Sequence, residues 1–354
     1  YDIVFGDLSS DVCSSDLHCE CKFTIFMEYD RLTPNITFLN LVHDELLEVE
    51  TLIRAQAEGY HQDLQAALNH LLGSGGKRVR PAITLLISRI LHAPHEKMIN
   101  LAGSIELLHT ATLVHDDLID GSLLRRGIPT LNARWSPGAT VLTGDFLFSA
   151  AAKLAADTDS IAVMKSFART LSTIVNGEIT QLFRSPCQLN REQYERKIYA
   201  KTGSLFELSS ESAALISDTN CDVINAMRKY GYFIGIGFQI IDDILDFTGA
   251  QATLGKPVGN DLRQGIITLP AIIHLQDFAE TPLVQEFVDR TCTPDDEQIA
   301  LLVDQIRTSD SIHKAYLEAE TYVKKGMEKL DLLPDCPERD ALEELAQFIV
   351  RREL

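Results

Sequence analysis

The sequence predicts an all-α protein. From about residue 38 onward, apolar residues recur at three- and four-residue spacing, as in LVHDELLEVETLIRAQ (41–56) and INLAGSIELLHTATLVHDDLID (99–120). This spacing is the period of amphipathic helices, and the prolines fall between such segments or at their starts. No stretch of residues 27–354 alternates apolar and polar residues long enough to predict a strand. We therefore expect one domain of ten or more helices.

The first residues stand apart from this pattern. The stretch DLSSDVCSSDL (7–17) resembles a sequencing adapter read through as protein, and helical patterning begins only after Met27. We expect residues 1–26 to be a non-native or disordered leader and residues 27–354 to form the domain. The HCEC segment (18–21) could suggest a metal site, but it falls within this leader.

Charge and cysteine usage exclude several classes of function. The chain has 354 residues and a formal net charge of −19, which argues against nucleic acid and anionic membranes as partners. The nearest candidate for a membrane span, YFIGIGFQII (232–241), stops after about ten residues, and a membrane helix needs about 20. The seven cysteines form no disulfide scaffold. We expect a cytoplasmic protein that is not integral to a membrane.

Three aspartates end one of the predicted helices. Asp116 and Asp120 are four residues apart, so a helix aims both carboxylates the same way, with Asp117 beside them. A lone acidic triplet is more often a solvated face, but the preceding IELLHTATLV is too apolar for an exposed helix. Three such carboxylates repel one another unless cations lie between them. Mg²⁺ is the favoured ion because it binds a few carboxylates together with phosphate oxygens.

A second copy of the triplet strengthens this interpretation. FQIIDDILDF (238–247) contains Asp242, Asp243 and Asp246 with the same spacing and the same apolar lead-in. Two such helices can face each other across a bundle and hold several ions. A ferritin-like redox centre would need Glu-x-x-His pairs, and His115 has no such partner. Carboxylates alone indicate Mg²⁺.

Basic residues complete a candidate diphosphate clamp. GSGGKRVRP (73–81) places cations after a glycine-rich turn, just before a helix expected at Pro81, where helix amides favour an anion. Taken alone this turn is weak evidence, and it is not a Walker A loop. Metal-bridging carboxylates opposed by lysine and arginine suit a diphosphate. The candidate cations are Lys77, Arg78, Arg80, Arg125, Arg126, Lys201 (next to Thr202) and Lys256.

The order of these motifs resembles that of the all-trans polyprenyl diphosphate synthases over residues 40–354. The matching elements are GGKRVRP, HDDLIDGSLLRRG, KTG, FQIIDDILD and GKPVGNDLRQG. The resemblance implies the isoprenoid synthase fold, a helical bundle around a central cavity, and a homodimer. It also implies Mg²⁺-dependent condensation of isopentenyl diphosphate with an allylic diphosphate, with Mn²⁺ as a substitute metal.

The resemblance assigns a role to each matching residue. Asp116, Asp120 and Asp242 would hold three Mg²⁺ ions on the allylic diphosphate, with Asp117, Asp243 and Asp246 in support. Arg125, Lys201 and Lys256 would bind that diphosphate; Lys77, Arg80, His109 and Arg126 would bind isopentenyl diphosphate; Thr202 and Gln239 would line the reacting centre. Arg125 and Arg126 would thus each serve one substrate rather than neutralise the aspartates. One position departs from the family pattern, because Ile266 stands where many members have a lysine.

Product length is expected to depend on the residues four and five positions before Asp116. Thr112 and Ala111 are small where farnesyl-forming relatives have large aromatics that close the product tunnel. We expect a product of 20 carbons or more, such as the precursor of a quinone side chain. Alternatives left open are a shorter farnesyl or geranylgeranyl product, a class I terpene cyclase, a non-catalytic prenyltransferase subunit and a calcium-binding helical protein.

Overall fold

The computed structural model describes residues 37–125, 127–183, 191–249, 258–289 and 296–351, and the expected leader (1–26) lies outside them. Nearly all of the described chain is helical, which confirms the predicted fold class. The α-helices are α1 (Thr37–Asn40), α2 (His43–Ala55), α3 (Gln62–Gly73), α4 (Val79–Ile90), α5 (His95–Ile119), α6 (Leu131–Arg134), α7 (Pro137–Ala156), α8 (Ile161–Leu182), α9 (Arg191–Ile198), α10 (Ser204–Leu215), α11 (Cys221–Thr248), α12 (Asn260–Arg263), α13 (Leu269–Asp277), α14 (Pro282–Asp289), α15 (Asp296–Thr308), α16 (Ser311–Met327) and α17 (Pro337–Val350).

Three short elements interrupt the helices. Strands β1 (Leu124–Arg125) and β2 (Ile128–Pro129) form a two-stranded antiparallel hairpin directly after α5. A π-helical turn (Tyr199–Gly203) joins α9 to α10, and a 3₁₀ turn (Leu330–Leu332) follows α16. The hairpin is too short to produce the alternating pattern that would predict a strand. The hairpin and the π-helical turn both lie beside candidate site residues.

α5 is buried on nearly every side. Its buried positions run from Met98 to Asp117 and include polar residues such as Ser104, whose hydroxyl donates to the carbonyl of Ala151 at 2.7 Å. Glycines let α7 approach α5 closely, because a Cβ on Gly144 would lie 2.1 Å from Nε2 of His115. The inference that the first triplet ends a buried helix is therefore correct.

Two apolar clusters form the core, and both include residues of α11. The first contains Tyr230 and Ile234 of α11 together with residues from α1 to α5, α7, α8, α10 and α17. The second contains Ile240 and Phe247 of α11 together with residues from α9 and α12 to α16. α16 also contributes to both clusters, through Val323 to the first and Ala319 to the second. Thus α11, which carries the second aspartate triplet, joins the two clusters.

One described helix is long and apolar enough to cross a membrane by length and composition alone. This helix is α7, with 20 residues and a mean hydropathy of 1.2 over an 18-residue window. The expectation that no segment approaches this length was wrong, because the alanines, threonines and glycines of α7 do not form an unbroken run of large apolar residues. Eight α7 residues are buried, among them Gly144, Leu147 and Leu154. The buried face is typical of a core helix.

Candidate active site

The first triplet lies at the carboxyl end of α5, and its three carboxylates have different surroundings. Asp116 is mostly buried, Asp117 is buried, and Asp120, which caps the helix, is exposed. The helix ends there because Gly121 adopts a left-handed conformation (φ 63°), which glycine tolerates without strain. His115 points away from the triplet toward α7, where its Nε2 lies 3.1 Å from the carbonyl of Val141.

Asp117 holds Arg125. The hairpin turns the chain back over the end of α5, and Nε and one terminal nitrogen of Arg125 donate to the Asp117 carboxylate at 2.9–3.0 Å. The Arg125 side chain stays 38% exposed, so a ligand can still reach it. Arg125 was expected to serve a substrate rather than to neutralise the aspartates. That expectation was wrong in part, because a bidentate ion pair joins Arg125 to Asp117. Arg126 lies outside the described residues.

Lys201 lies between two carboxylates. Its Nζ is 3.3 Å from Asp116 and 3.4 Å from Glu178 of α8. Burial opposes the charged form of Lys201, but the carboxylates of Asp116, Glu178 and Asp120 outweigh burial and raise its pKa. Burial raises the pKa of Asp116; Lys201 lowers it in part and Glu178 adds to the rise. Lys201 is therefore held as a cation beside the first triplet.

Glu178 is a site residue that the sequence analysis missed. Its side chain is only 18% exposed, and it comes from α8, far in sequence from either triplet. A single glutamate in NGEITQLF gave no spacing signal. Only its distance from Lys201 in the folded chain identifies it.

The second triplet lies on α11 and also divides into different environments. Asp242 and Asp246 are half-buried, and Asp243 is buried. Burial raises the pKa of the Asp243 carboxyl to about 7, although hydrogen bonds from Gln239 and Tyr194 lower it in part. The Asp246 carboxylate accepts a hydrogen bond from the backbone N–H of Asp261 at 3.2 Å and so contacts the amino end of α12.

The KTG motif lies on the π-helical turn, between α8 and α11. A Cβ on Gly177 of α8 would lie 2.5 Å from the Cβ of Ala200, and one on Gly235 of α11 would lie 2.8 Å from Cα of Gly203. These glycines let both helices approach the turn closely. Single π turns of this kind recur at functional sites. This turn directs Lys201 toward the first triplet and Thr202 toward α11.

Thr202 connects this turn to the second triplet. Its hydroxyl donates to Oε1 of Gln239 at 2.6 Å, and Nε2 of Gln239 donates to Asp243 at 2.9 Å. Lys201, the preceding residue, contacts Asp116. A series of contacts therefore runs from the first triplet through the KTG turn to the second.

Three of the four predicted isopentenyl diphosphate residues are described: Lys77 precedes α4, Arg80 lies on α4 and His109 lies on α5. Arg80 contacts Nε2 of His109 at 3.2 Å, and its guanidinium lies 4.6 Å from the centre of the Phe206 ring. Because arginine can only donate, His109 accepts at Nε2. Lys77 is exposed, with Nζ 4.7 Å from the ring centre of Phe348. Arg80 and His109 are thus in direct contact, and Arg126, the fourth predicted residue of this subsite, lies outside the described residues.

Arg78 has a different environment from its neighbours in the glycine-rich loop. It pairs with Glu106 of α5, and both side chains are largely buried. It also donates to the carbonyl of Leu72 at 3.1 Å. Helix α4 begins at Val79, two residues before the expected start at Pro81, since proline is tolerated in a first turn. Arg78 therefore binds within the fold, and Lys77 and Arg80 remain as the candidate ligands for an anion.

The remaining predicted positions are partly described. Lys256 lies outside the described residues. Ile266 is half-buried in the turn between α12 and α13, with its N–H donating to the carbonyl of Asp261 at 2.8 Å. Ala111 is fully buried, whereas Thr112 is half-buried and its hydroxyl donates to the carbonyl of His109 at 2.7 Å. A small cavity of about 20 Å³ lies beside Asp117 and Arg125.

The donor set fits a hard divalent cation. Among the described residues, no group of three His, Cys, Asp or Glu side chains is arranged as a ready-made metal cage. Mg²⁺ does not require one, because it usually keeps several waters and binds one or two carboxylates plus substrate phosphates. Asp116 and Asp242 are both only partly buried, so each keeps carboxylate oxygens that could bind such a cation.

A comparison with known proteins agrees with this geometry. The family model for polyprenyl synthetase matches residues 61–306. Component 2 of heptaprenyl diphosphate synthase from Geobacillus stearothermophilus is 34% identical over 319 residues, which cover 89% of this chain and 98% of that protein. Octaprenyl diphosphate synthase from Haemophilus influenzae is 30% identical over 321 residues, covering 86% of this chain and 96% of that protein.

Solved structures give the same result. The polyprenyl synthase of Caulobacter crescentus, solved with calcium and isoprenyl diphosphate, superposes with a TM-score of 0.82 at 34% identity, covering 90% of this chain and 97% of that one. A decaprenyl diphosphate synthase from Rhodobacter capsulatus superposes with a TM-score of 0.81 at 32% identity, covering 90% and 99%.

The fold and the site together define a metal-dependent prenyltransferase with the isoprenoid synthase fold. The chain belongs to the polyprenyl synthetase family. It extends isoprenoid chains to 20 carbons or more, and the short-product and terpene cyclase alternatives are not favoured.

Proposed function

We propose that the two triplets and the KTG turn form one ionisation site for an allylic diphosphate. The observation that supports this most directly is the set of contacts from Asp116 to Lys201 and from Thr202 through Gln239 to Asp243. Asp116, Asp120 and Asp242 would hold three Mg²⁺ ions, which neutralise charge on the departing pyrophosphate. Lys201, Arg125 and Lys256 would bind the same diphosphate.

The protein's own residues would lower the barrier by placing cations where charge develops. Lys201 is kept protonated by the carboxylates around it, so it donates to the diphosphate oxygens throughout the reaction. Asp117 orients Arg125 from behind. Thr202 and Gln239 present polar atoms to the reacting carbon, and the apolar surroundings exclude water that would quench the cation.

Isopentenyl diphosphate would bind at Lys77, Arg80, His109 and Arg126. Its double bond then attacks the allylic cation and forms the new carbon–carbon bond. The proton lost afterwards passes to the released pyrophosphate. Because Arg80 and His109 are in contact, one guanidinium and one imidazole can bind a single diphosphate from adjacent positions.

The product would be a longer polyprenyl diphosphate. Ala111 and Thr112 have small side chains on the last turns of α5 before the triplet. The relatives compared above carry the names heptaprenyl, octaprenyl and decaprenyl diphosphate synthase. A quinone side-chain precursor of this size range is the product that we propose, made in the cytoplasm.

A homodimer would cover the exposed apolar residues of α7 and α8. Ile161, Val175, Ile179 and Leu182 lie on one face of α8 and are 46–76% exposed, and Leu142 on the adjacent α7 is 69% exposed. Such residues are typical of an interface. The name "component 2" of one relative makes a heteromeric partner the competing arrangement. Mass measurement of the purified chain in solution, combined with its activity when alone, distinguishes the two.

The first test is removal of one carboxylate from each triplet. Asp116→Ala and Asp242→Ala should each reduce condensation by at least about a hundredfold. Each change removes a carboxylate that would hold the Mg²⁺ ions, and these ions would stabilise the negative charge that develops on the departing pyrophosphate. The assay follows labelled isopentenyl diphosphate with several allylic primers, and mass analysis gives the product length. Exposed Glu58→Gln is the control. Near-normal rates in either alanine variant would contradict the assignment, and products formed without isopentenyl diphosphate would indicate a cyclase.

A further inference from the structure

Tyr194 lies on α9, outside all the motifs that identify the family in this sequence. Its side chain is buried, and its hydroxyl donates to Oδ2 of Asp243 at 2.7 Å. Asp243 is itself buried on α11. A buried tyrosine hydroxyl that donates to a buried carboxylate beside a catalytic centre fixes the orientation of that carboxylate.

Asp243 receives a second hydrogen bond from the opposite side. Nε2 of Gln239, one helical turn earlier on α11, donates to Oδ1 of Asp243 at 2.9 Å. A carboxylate has only acceptors, so it selects the NH₂ end of the Gln239 amide and leaves the carbonyl end facing away. That carbonyl accepts from the Thr202 hydroxyl at 2.6 Å. Each bond in this series therefore determines the direction of the next.

We propose that Tyr194 is a positioning residue for the reacting centre: its hydroxyl, acting through Asp243, fixes the amide of Gln239 and the hydroxyl of Thr202. The proposal rests on the roles proposed above for Gln239 and Thr202. It gives Asp243 the task of orienting neighbours, distinct from the metal ligation assigned to Asp242. Tyr194 lies on α9, the helix that leads directly into the KTG turn.

Loss of the Tyr194 hydroxyl should allow the Gln239 amide to rotate. Oδ2 of Asp243 would then lack its donor, and the carboxylate could rotate to accept a hydrogen bond from another donor. Once the amide is no longer fixed, the Thr202 proton can point toward the reacting carbon instead of toward Gln239. The diphosphate-binding cations are not part of this series, so substrate binding should be largely retained.

The test compares Tyr194→Phe with Tyr322→Phe. Tyr322 packs on α11 against Phe233 and has no role in the series, so it controls for loss of a tyrosine hydroxyl near this helix. Tyr194→Phe should lower kcat by about ten- to a hundredfold, the size expected of misplaced reacting groups. KM for both diphosphates should change less than about threefold, and helical content by circular dichroism should be unchanged. Tyr322→Phe should retain the wild-type kcat.

Repeating the Tyr194→Phe change in a Gln239→Ala enzyme separates a positioning role from a general structural effect. In Gln239→Ala enzyme, adding Tyr194→Phe should lower kcat by less than about twofold, because the group that Tyr194 positions is already gone. An equal loss in both backgrounds, or a wild-type kcat in Tyr194→Phe, would overturn the proposal. If Gln239→Ala alone has the wild-type kcat, the assigned role of Gln239 fails, and the proposal about Tyr194 fails with it. Wild-type condensation activity, measured in the same assay, tests the proposed function separately.

Discussion

Two carboxylates, those of Asp116 and Glu178, hold Lys201 in place. Glu178 lies outside the motifs identified in the sequence. Glu178 of α8 and Asp116 of α5 both contact the ammonium group of Lys201. When Asp116 binds a cation, Glu178 remains to hold the ammonium group in place. We therefore expect the geometry of the proposed allylic diphosphate site to depend on Glu178, a residue to which the family resemblance assigns no role.

Glu178→Gln tests this dependence. The amide keeps the shape of the side chain but removes the charge that holds Lys201, so we expect KM for the allylic diphosphate to rise about tenfold, equivalent to about 1.4 kcal/mol. KM for isopentenyl diphosphate should change little. Steady-state kinetics with each substrate varied in turn measure both values. Exposed Glu58→Gln is the matched control, and an equal rise in both KM values would argue against a specific effect on Lys201.

His274 makes a separate residue-level prediction, far from both triplets in sequence. It is buried on α13, with Nδ1 3.2 Å from the Ser309 hydroxyl and its ring against Phe278. Burial lowers its pKa from the ordinary 6.5, and Gln305 and Asp277 oppose that shift in part. As pH falls below about 6.5, the unfolded chain therefore takes up a proton at His274 before the folded protein does, and stability decreases.

His274→Asn should remove that part of the acid sensitivity. Relative to wild type, the variant's free energy of unfolding should decline less between pH 6.5 and pH 5, as measured by denaturant unfolding across that range. Exposed His313→Asn serves as the control for removing a histidine. Parallel pH profiles for wild type and His274→Asn would contradict the prediction.

At the level of elements, the KTG turn depends on close approach of α8 and α11. The KTG motif is visible in the sequence, but the irregular turn that carries it is not. The reason is that periodicity does not distinguish a π turn from an α-helix. The glycines that permit this turn, Gly177 and Gly235, lie far from the motif in sequence. Their role is a consequence of helix packing, which a single sequence does not display.

Gly235→Ala should separate α11 from the turn. The added methyl group would meet Cα of Gly203 at 2.8 Å and Cβ of Phe206 at 2.9 Å, neither of which is a flexible side-chain end. We expect a loss of about 1–3 kcal/mol in the free energy of unfolding and a lower kcat, since Thr202 and Gln239 would move apart. Gly138→Ala on α7, where the methyl group meets nothing within 4 Å, is the control. Unchanged kcat and stability in Gly235→Ala would show that the turn tolerates displacement.

At the level of the whole molecule, we expect the product length to depend on how the end of α5 packs. Ala111 is fully buried, so a large side chain there must displace its neighbours, whereas Thr112 is half-buried. We expect Ala111→Phe and Thr112→Phe each to shorten the product, with the greater loss of stability, about 1–3 kcal/mol, in Ala111→Phe. Mass analysis of the products together with thermal unfolding measures both effects. An unchanged product distribution in both variants would show that other residues limit the length of the product.

The sequence was sufficient to predict the helical fold and the place of both triplets on helices, because helix periodicity and the i, i+4 rule act locally. The roles of the triplets and of the cations remain predictions. The sequence could not predict the pairing of Arg125 with Asp117, the burial of Arg78 against Glu106, or the contact of Glu178 with Lys201, since each joins separate elements. It also gave no reason to single out Tyr194. The single domain and the leader remain predictions.

α11 belongs to both apolar clusters, and the same helix carries Gln239, Asp242 and Asp243. Neither half of the core can lose its packing without loosening this helix. We therefore expect a change that loosens the carboxy-terminal helices packed on α11 to lower activity as well as stability. Selection for catalysis in such a protein would also select for good packing in both apolar clusters.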